Sequence, residues 1–341
     1  MKYFLDFNLP ERLIATVPSL TRDGDKMMIF QKNQLTHEQF VNINSYLRKD
    51  DIIVFNNSKV FKARLTISAL QKEIKSELLL INQESSTIWT AMIKKAKRFK
   101  LGEYFSLSNG VKAKVIEILE DGLRRIEFDE SFSPIDAENI GQIPLPPYII
   151  EERKKRGELL YSSSDEERYQ TLFAKYYGSV AAPTASLRFS TDIIRQLTIQ
   201  GITLKEITLH VGPGTFKPMT CDPDEYQIHK EFVTVTPDLM AYLIQAKKQG
   251  RRIIAAGTTV CRALESANEN GFDAWTDIFI KPGYEFKMID GLITNFHLPQ
   301  STLLLLVQAF IGIENTKQIY KEALLYNYRF FSYGDGMLLL K

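Results

Sequence analysis

Ala63-Arg-Leu-Thr-Ile67, Glu77-Leu-Leu-Leu-Ile81, Thr87-Ile-Trp-Thr-Ala-Met-Ile93, Tyr104-Phe-Ser-Leu107, Ala113-Lys-Val-Ile-Glu-Ile-Leu119 and Arg125-Ile-Glu-Phe128 follow one another between Lys62 and Ile143. The segment alternates and turns back repeatedly, with few helical signals. Turn formers such as Ser108-Asn109-Gly110 and Asp121-Gly122 separate the runs. Six short strands at this spacing predict an all-β barrel or sandwich.

After Pro144 the rhythm changes to alternating strands and helices. Ser163-Ser-Asp-Glu and Ser164-Asp-Glu-Glu both fit a capping box and predict a helix running through Tyr177, closed by Gly178. Further helices are expected over 192–200, 237–249, 259–268, 301–311 and 316–327. Strands are expected over 202–211, 252–256, 277–280 and 292–295. This pattern implies a largely parallel, helix-covered sheet. Ile52-Ile-Val-Phe55 is wholly apolar and suits a buried strand of the same sheet. The expected organisation is therefore a discontinuous α/β domain, 1–60 and 150–341, with a β domain inserted over 61–149.

The 341 residues carry 43 Lys and Arg against 41 Asp and Glu, a net charge of +2. That excludes a general polycation, so nucleic-acid contacts must come from a local patch. Two basic runs could supply one: Lys94-Lys-Ala-Lys-Arg-Phe-Lys100, with Phe99 interleaved, and Arg153-Lys-Lys-Arg156. Such runs are most often solvated faces. Two cysteines, Cys221 and Cys261, rule out a disulfide framework. With four histidines they show no metal-ligand spacing, so no metal is expected. Cys261 is expected to be small core filler, and His37 a solvated helix residue. The start, MKYFLDFNLP, does not read as a signal peptide. No apolar run reaches the ~20 residues of a spanning helix, so a cytoplasmic protein is expected.

In an open α/β sheet, ligands bind beyond the carboxyl ends of the strands. Four predicted strands end in polar or glycine-containing loops: Asn56-Asn57-Ser58, Gly212-Pro-Gly214-Thr215, Gly257-Thr258-Thr259 and Phe296-His297-Leu-Pro299. Glycines there allow close backbone approach, and a helix N-terminus favours an anion. His210 and His297 adjoin two of these loops. Either is a proton shuttle or a hydrogen-bonded, half-buried ring.

The strings themselves go further. Asp6-Phe-Asn-Leu-Pro10, Val54-Phe-Asn-Asn-Ser-Lys-Val60, Ile143-Pro-Leu-Pro-Pro-Tyr148, Arg168-Tyr-Gln-Thr171, Gly178-Ser-Val-Ala-Ala-Pro-Thr-Ala185, Leu209-His-Val-Gly-Pro-Gly-Thr-Phe216, Gly257-Thr-Thr-Val-Cys-Arg-Ala-Leu-Glu-Ser266, Pro282-Gly-Tyr284, Thr294-Asn-Phe-His-Leu-Pro299, Ser301-Thr-Leu303 and Tyr328-Arg-Phe-Phe-Ser-Tyr-Gly-Asp335 occur in one order. Together they resemble the S-adenosylmethionine:tRNA ribosyltransferase-isomerase family of queuosine biosynthesis, along the whole chain and most thinly over 66–140. The resemblance implies a larger α/β domain with a helix-covered sheet and an inserted small all-β barrel.

It also implies an enzyme that transfers the ribosyl part of S-adenosylmethionine to a 7-aminomethyl-7-deazaguanine at the tRNA wobble position. Isomerisation of that group gives epoxyqueuosine, with adenine and methionine released. S-adenosylmethionine is then a co-substrate, no prosthetic group or metal is implied, and the partner is the anticodon region of tRNA. A monomer is the simplest expectation.

The sulfonium acidifies the adjoining ribose carbon, so a base must take that proton. His210, Glu231 and Asp335 are the candidates, with His297 beside them and Arg262 as polar support. Gly257, Thr258 and Thr259 are assigned to the methionine carboxylate. Asn56, Asn57, Arg188, Gly212, Gly214 and Thr215 complete the substrate-binding set, and Lys94, Lys95, Lys97, Arg98 and Lys100 the RNA-binding set. Three positions depart from the family pattern: Arg188 replaces a usual His, Lys281 an aromatic and Gly336 an alanine. The competing readings are a divergent relative that binds S-adenosylmethionine or RNA with altered chemistry, and a non-catalytic RNA-binding module.

Overall fold

The computed structural model describes the chain except Met1, Lys2, Leu5, residues 71–73, Glu120, Asp121 and Lys217. Asp121 of the expected Asp121-Gly122 turn and three residues of the MKYFLDFNLP start thus lie outside the described residues. The strands, in chain order, are β1 (Lys26–Gln31), β2 (Gln34–Gln39), β3 (Ile52–Asn56), β4 (Ser58–Val60), β5 (Arg64–Ala69), β6 (Lys75–Gln83), β7 (Ile88–Ile93), β8 (Tyr104–Leu107), β9 (Lys112–Ile118), β10 (Arg124–Phe128), β11 (Tyr176–Ser179), β12 (Thr203–Leu209), β13 (Glu231–Val235), β14 (Ile253–Ala256), β15 (Phe272–Thr276), β16 (Gly291–Asn295) and β17 (Gly336–Leu340).

Strands β5 to β10 close into a barrel in the order β10-β7-β6-β5-β8-β9, every pairing antiparallel. The alternation in the sequence produces this: Leu65, Ile67, Leu78, Leu80, Trp89, Ala91, Val115 and Ile126 point inward and are buried. Closure leaves no free edge. Phe99, the aromatic in the basic run, is fully buried in this core against Phe105. It holds the loop on the barrel and is not available to stack on a base.

The larger sheet has nine strands in the order β15-β13-β12-β3-β14-β16-β17-β1-β2. Its central strands β12, β3, β14 and β16 are parallel, as is the β17–β1 pair, and the rest are antiparallel. The sheet is thus mixed rather than largely parallel. Two successive helices, α7 (Thr302–Ile311) and α8 (Ile313–Leu325), separate β16 from β17. This even number of traverses returns β17 antiparallel to β16. The six preceding helices are α1 (Pro134–Ile140), α2 (Pro147–Arg156), α3 (Ser163–Arg168), α4 (Thr191–Ile199), α5 (Pro237–Lys248) and α6 (Thr258–Ser266). One face of the sheet packs under α5 to α8, through Leu209, Val233, Met240, Leu264, Leu292 and Leu306. The other packs under α4, through Ile53, Phe55, Phe189, Ile193 and Leu338.

Three local expectations need correction. The helix that was to reach Tyr177 stops at Arg168, with Ser162 as its N-cap and Asp165 completing the capping box. Asp165 is drawn into a bidentate ion pair with Arg153 (2.7 and 2.8 Å), and the chain beyond Tyr169 extends to form β11 alongside β4. The expected strand 277–280 is displaced to Phe272–Thr276, where its partner is β13. His37 lies on β2, its Nδ1 2.9 Å from the Tyr328 hydroxyl, not on a helix. Cys261 is fully buried, and burial pushes its thiol pKa well up, as suits core filler. No described helix is long and apolar enough to cross a membrane.

Candidate active site

The loops after β12, β14 and β16 meet at one edge of the sheet around a small pocket. Val211, Thr215, Gly257, Thr258, Thr259, Thr294, Asn295, His297, Leu298 and Ser301 line it, with Pro183 to Ala185 and Phe331-Ser332 closing its sides. Gly257 sits at φ 116°, a conformation that an L side chain rarely adopts, and it turns the chain from β14 into α6. No side chain caps α6, so the first N–H groups, at the pocket-lining Thr258 and Thr259, have no side-chain partner and are of the kind that can meet an anion. Thr259 Oγ1 and Ser332 Oγ are buried there without a hydrogen-bond partner.

His297 Nε2 lies 3.0 Å from Thr294 Oγ1, and its backbone N–H donates to the Tyr320 hydroxyl (2.9 Å). Burial pushes its pKa down to about 3, so the ring is neutral at pH 7. Asn295 donates to the Phe331 carbonyl (2.7 Å) and fixes that wall. Tyr148 stacks on Phe331 with ring centroids 3.9 Å apart, and its hydroxyl accepts from Ser332 N–H.

Val211, Thr215 and Leu303 also line a second, wider cleft of about 750 Å³ between the sheet edge and the barrel rim. Here lie His210, Gly212, Gly214, Glu231 and Arg262, facing Asn82, Gln83, Glu84 and Thr90 of the barrel. Glu231 is buried; it accepts from Thr215 Oγ1 (2.8 Å), Gly212 N–H (3.3 Å) and Arg262. Arg262 Nη2 and His210 Nδ1 are buried with no hydrogen-bond partner. Burial lowers the His210 pKa, which favours the neutral imidazole. Gly178 makes this ring position possible, because a Cβ there would come within 2.6 Å of His210 Nδ1.

Other sequence candidates are placed elsewhere. Asn56 is fully buried and is spent on the Leu209 carbonyl and N–H (2.8 and 3.0 Å). Asn57 is bonded to Glu206 and Thr208. Both therefore tie β3 to β12 and line neither cavity. Arg188 lies behind the pocket wall, donating to the carbonyls of Ala185 and Gly334 (2.9 Å each), with Asp25 3.5 Å from its Nε. Asp335 accepts from the N–H groups of Lys26 (2.8 Å) and Arg329 (2.7 Å). Burial raises its pKa, and it braces the entry to β17 rather than facing a ligand. Lys281 pairs with Asp224 at 2.6 Å. Lys94 pairs with Glu77 at 2.9 Å, while Lys95, Lys97, Arg98 and Lys100 are exposed on the barrel. Among the described residues no three His, Cys, Asp or Glu converge as a metal-ligand set.

Pro183, Thr184, Asn295 and Ser332 line the pocket but were not singled out. Their strings were visible in the sequence; only the pairing of distant segments shows which side chains turn inward.

The family model described as "Queuosine biosynthesis protein" matches residues 2–339. The S-adenosylmethionine:tRNA ribosyltransferase-isomerases of Desulfitobacterium hafniense and Caldanaerobacter subterraneus are 41% and 42% identical to this chain, each comparison covering 98% of both proteins. A crystal structure of S-adenosylmethionine tRNA ribosyltransferase from Thermotoga maritima matches with a TM-score of 0.55 at 31% identity, covering 98% of this chain and 99% of that one.

Proposed function

We propose that this chain, which belongs to the queuosine biosynthesis protein family, transfers and isomerises the ribosyl group of S-adenosylmethionine onto a 7-aminomethyl-7-deazaguanine at the tRNA wobble position, yielding epoxyqueuosine, adenine and methionine. The observation that carries this reading is the pair of cavities that share Val211, Thr215 and Leu303. One is small and ends on a helix N-terminus. The other is wide, open and flanked by a barrel. A small co-substrate and a nucleobase can meet only at their junction.

The methionine carboxylate of S-adenosylmethionine binds the α6 N-terminus at Gly257, Thr258 and Thr259, with the Thr259 and Ser332 hydroxyls as further partners. That places the ribosyl carbons toward Val211 and Thr215. His210, neutral and unpartnered at Nδ1, is the group best suited to remove the proton that the sulfonium acidifies. Glu231 already accepts three hydrogen bonds, and these orient the Gly212–Thr215 loop and Arg262. Arg262 keeps Nη2 free for developing negative charge. His297, held neutral, supplies polar support in the small pocket.

Residues 1–60 and 150–341 act as the catalytic part and 61–149 as the barrel part. The exposed basic residues of the 94–100 run meet the tRNA backbone near the anticodon. The protein works as a cytoplasmic monomer.

The test is product analysis of purified protein with S-adenosylmethionine and tRNA bearing the aminomethyl-deazaguanine base. Adenine release together with an epoxyqueuosine nucleoside by mass spectrometry is expected. Folded protein that binds S-adenosylmethionine but forms neither product overturns this reading in favour of a relative with altered chemistry.

A further inference from the structure

His210, just past the end of β12, and Phe232 and Trp275, on β13 and β15, occupy adjacent positions across three neighbouring strands. Phe232 is directly opposite Trp275 in the β13–β15 register, and their ring centroids are 5.6 Å apart at 72°. On the other side, Thr208 faces Thr234 and Leu209 faces Val233, so the next step brings His210 opposite Phe232. The His210 N–H donates to the Phe232 carbonyl at 3.0 Å. Successive strand residues point to opposite faces. Leu209 and Val233 therefore face the core under α6, while His210, Phe232 and Trp275 share the other face. All three line the wide cleft, and Trp275 is 49% exposed.

Adjacent strands are ~4.8 Å apart, so the row runs about two strand spacings outward from the catalytic junction to solvent. Across the cleft stand Asn82, Gln83, Glu84 and Thr90 of the barrel rim. Thr90 donates to Glu84, Glu84 also accepts from Arg125, and the Gln83 amide N–H donates to the Phe132 carbonyl (3.3 Å), which leaves the Asn82 amide and the Gln83 amide oxygen for a base edge. One wall is thus aromatic, an exposed Trp275 ring set edge-to-face with Phe232, and the other carries hydrogen-bonding side chains. Unpaired nucleobases need this combination, a π-face to stack on and partners for their edges.

We propose that the Phe232–Trp275 pair is a stacking platform for a tRNA nucleobase flanking the reacting one, which itself sits at the His210 end of the row. This rests on the tRNA-modifying reading above and adds the residue that fixes register on the anticodon loop. The occupant is a splayed nucleobase because the row is continuous with the catalytic cleft, and because the facing wall mixes polar Asn82 and Gln83 with apolar Ile81 and Met92, as a base with a polar edge and an apolar face requires.

The chain has two tryptophans, and the other, Trp89, is buried in the barrel with its Nε1–H bonded to the Phe132 carbonyl. Trp89 also borders the cleft, so the Trp275 signal is the difference between the wild type and Trp275→Phe, which keeps Trp89 alone. Titration of the full-length protein with tRNA carrying the aminomethyl-deazaguanine base should change tryptophan emission, and Trp275→Phe should abolish the change while turning over normally. Trp275→Ala should raise the KM for tRNA about ten- to a hundred-fold, leaving the KM for S-adenosylmethionine, kcat and the melting temperature as they were. Removing the flanking base from an anticodon stem-loop should weaken the wild type to the level of the alanine variant and weaken that variant no further.

Unchanged emission through a titration that saturates turnover, or an alanine variant with wild-type KM for tRNA, overturns the platform and leaves the reaction intact. Absence of product from the wild type overturns the reaction instead, and the same emission titration still shows whether the row holds RNA.

Discussion

Two clusters of buried charge lie in the α/β part of this molecule, and both attracted sequence-based attention. Around Arg188, Asp25, Asp335 and Arg329, most polar atoms are committed within the protein: Arg188 Nη1 and Nη2 to the carbonyls of Ala185 and Gly334, Asp335 to the N–H groups of Lys26 and Arg329, and Asp25 to Ser19 and the Arg329 guanidinium. Around His210, Glu231, Arg262 and Thr259, buried atoms are left over and line a cavity. Burial of charge is thus no mark of chemistry by itself, since a guanidinium tied to two carbonyls is mortar. Arg188 Nε is unbonded too, so what distinguishes the second cluster is that its residues with unmet hydrogen-bonding capacity line a cavity, where a ligand can relieve it.

The contrast can be broken or sharpened by mutation. The largest effect is expected at His210: His210→Ala should lower kcat about 10²–10⁴-fold with an unchanged melting temperature. Because burial lowers this pKa, the acidic limb of kcat/KM in the wild type should lie below the ordinary 6.5. On the proposed mechanism the neutral ring acts as the base, and burial keeps it neutral to lower pH than a free imidazole. An alanine variant with wild-type turnover would remove His210 from the mechanism.

Next comes Asp335→Asn, which sets an amide N–H₂ against one of two backbone N–H donors. It should cost about 1–3 kcal/mol of unfolding free energy while initial rates per folded molecule stay near wild type. A collapse of kcat with stability retained would merge the two clusters.

Gly336→Ala should be milder. A Cβ there would come within 3.1 Å of Arg188 Nε, and Arg188 is tethered at both ends. About 1 kcal/mol of destabilisation by overpacking is expected in a denaturant melt. The smallest effect is expected on the barrel. Charge reversal at Lys94 and Lys95 should weaken tRNA binding severalfold at low salt and flatten its salt dependence. Affinity unchanged at 50 and 200 mM salt would place the backbone contacts elsewhere.

The sequence disclosed what local pattern controls. Alternation in 63–128 specifies the barrel, and the loops after β12 and β14 announce themselves by glycine at strand ends. The errors arose where distant partners override local signals. The helix from Ser163 ends early because Asp165 answers Arg153 and the following chain is drawn out beside β4. Phe99 looked like a stacking residue among lysines, yet the barrel core takes it in. Arg188 and Asp335 read as site residues because their type and neighbours fit, but their partners stand far away in the chain and only the fold reveals them. The Phe232–Trp275 pair gave no signal at all, because strand register across β13 and β15 is invisible until the sheet is assembled.

The place of β17 bears on how the molecule is made. Met27 of β1 pairs in parallel with Gly336 of β17, which intervenes between β1 and β16. On a growing chain the barrel strands are all available early, and its local antiparallel turns allow it to close during synthesis. The β1–β2 ribbon is made first yet waits longest, with an apolar β1 edge uncovered until β17 is delivered. The candidate site, whose Phe331-Ser332 wall lies just before β17, is therefore among the last things to form. A ribosome-bound fragment stopping short of Gly336 should hold a finished barrel and an unfinished active site.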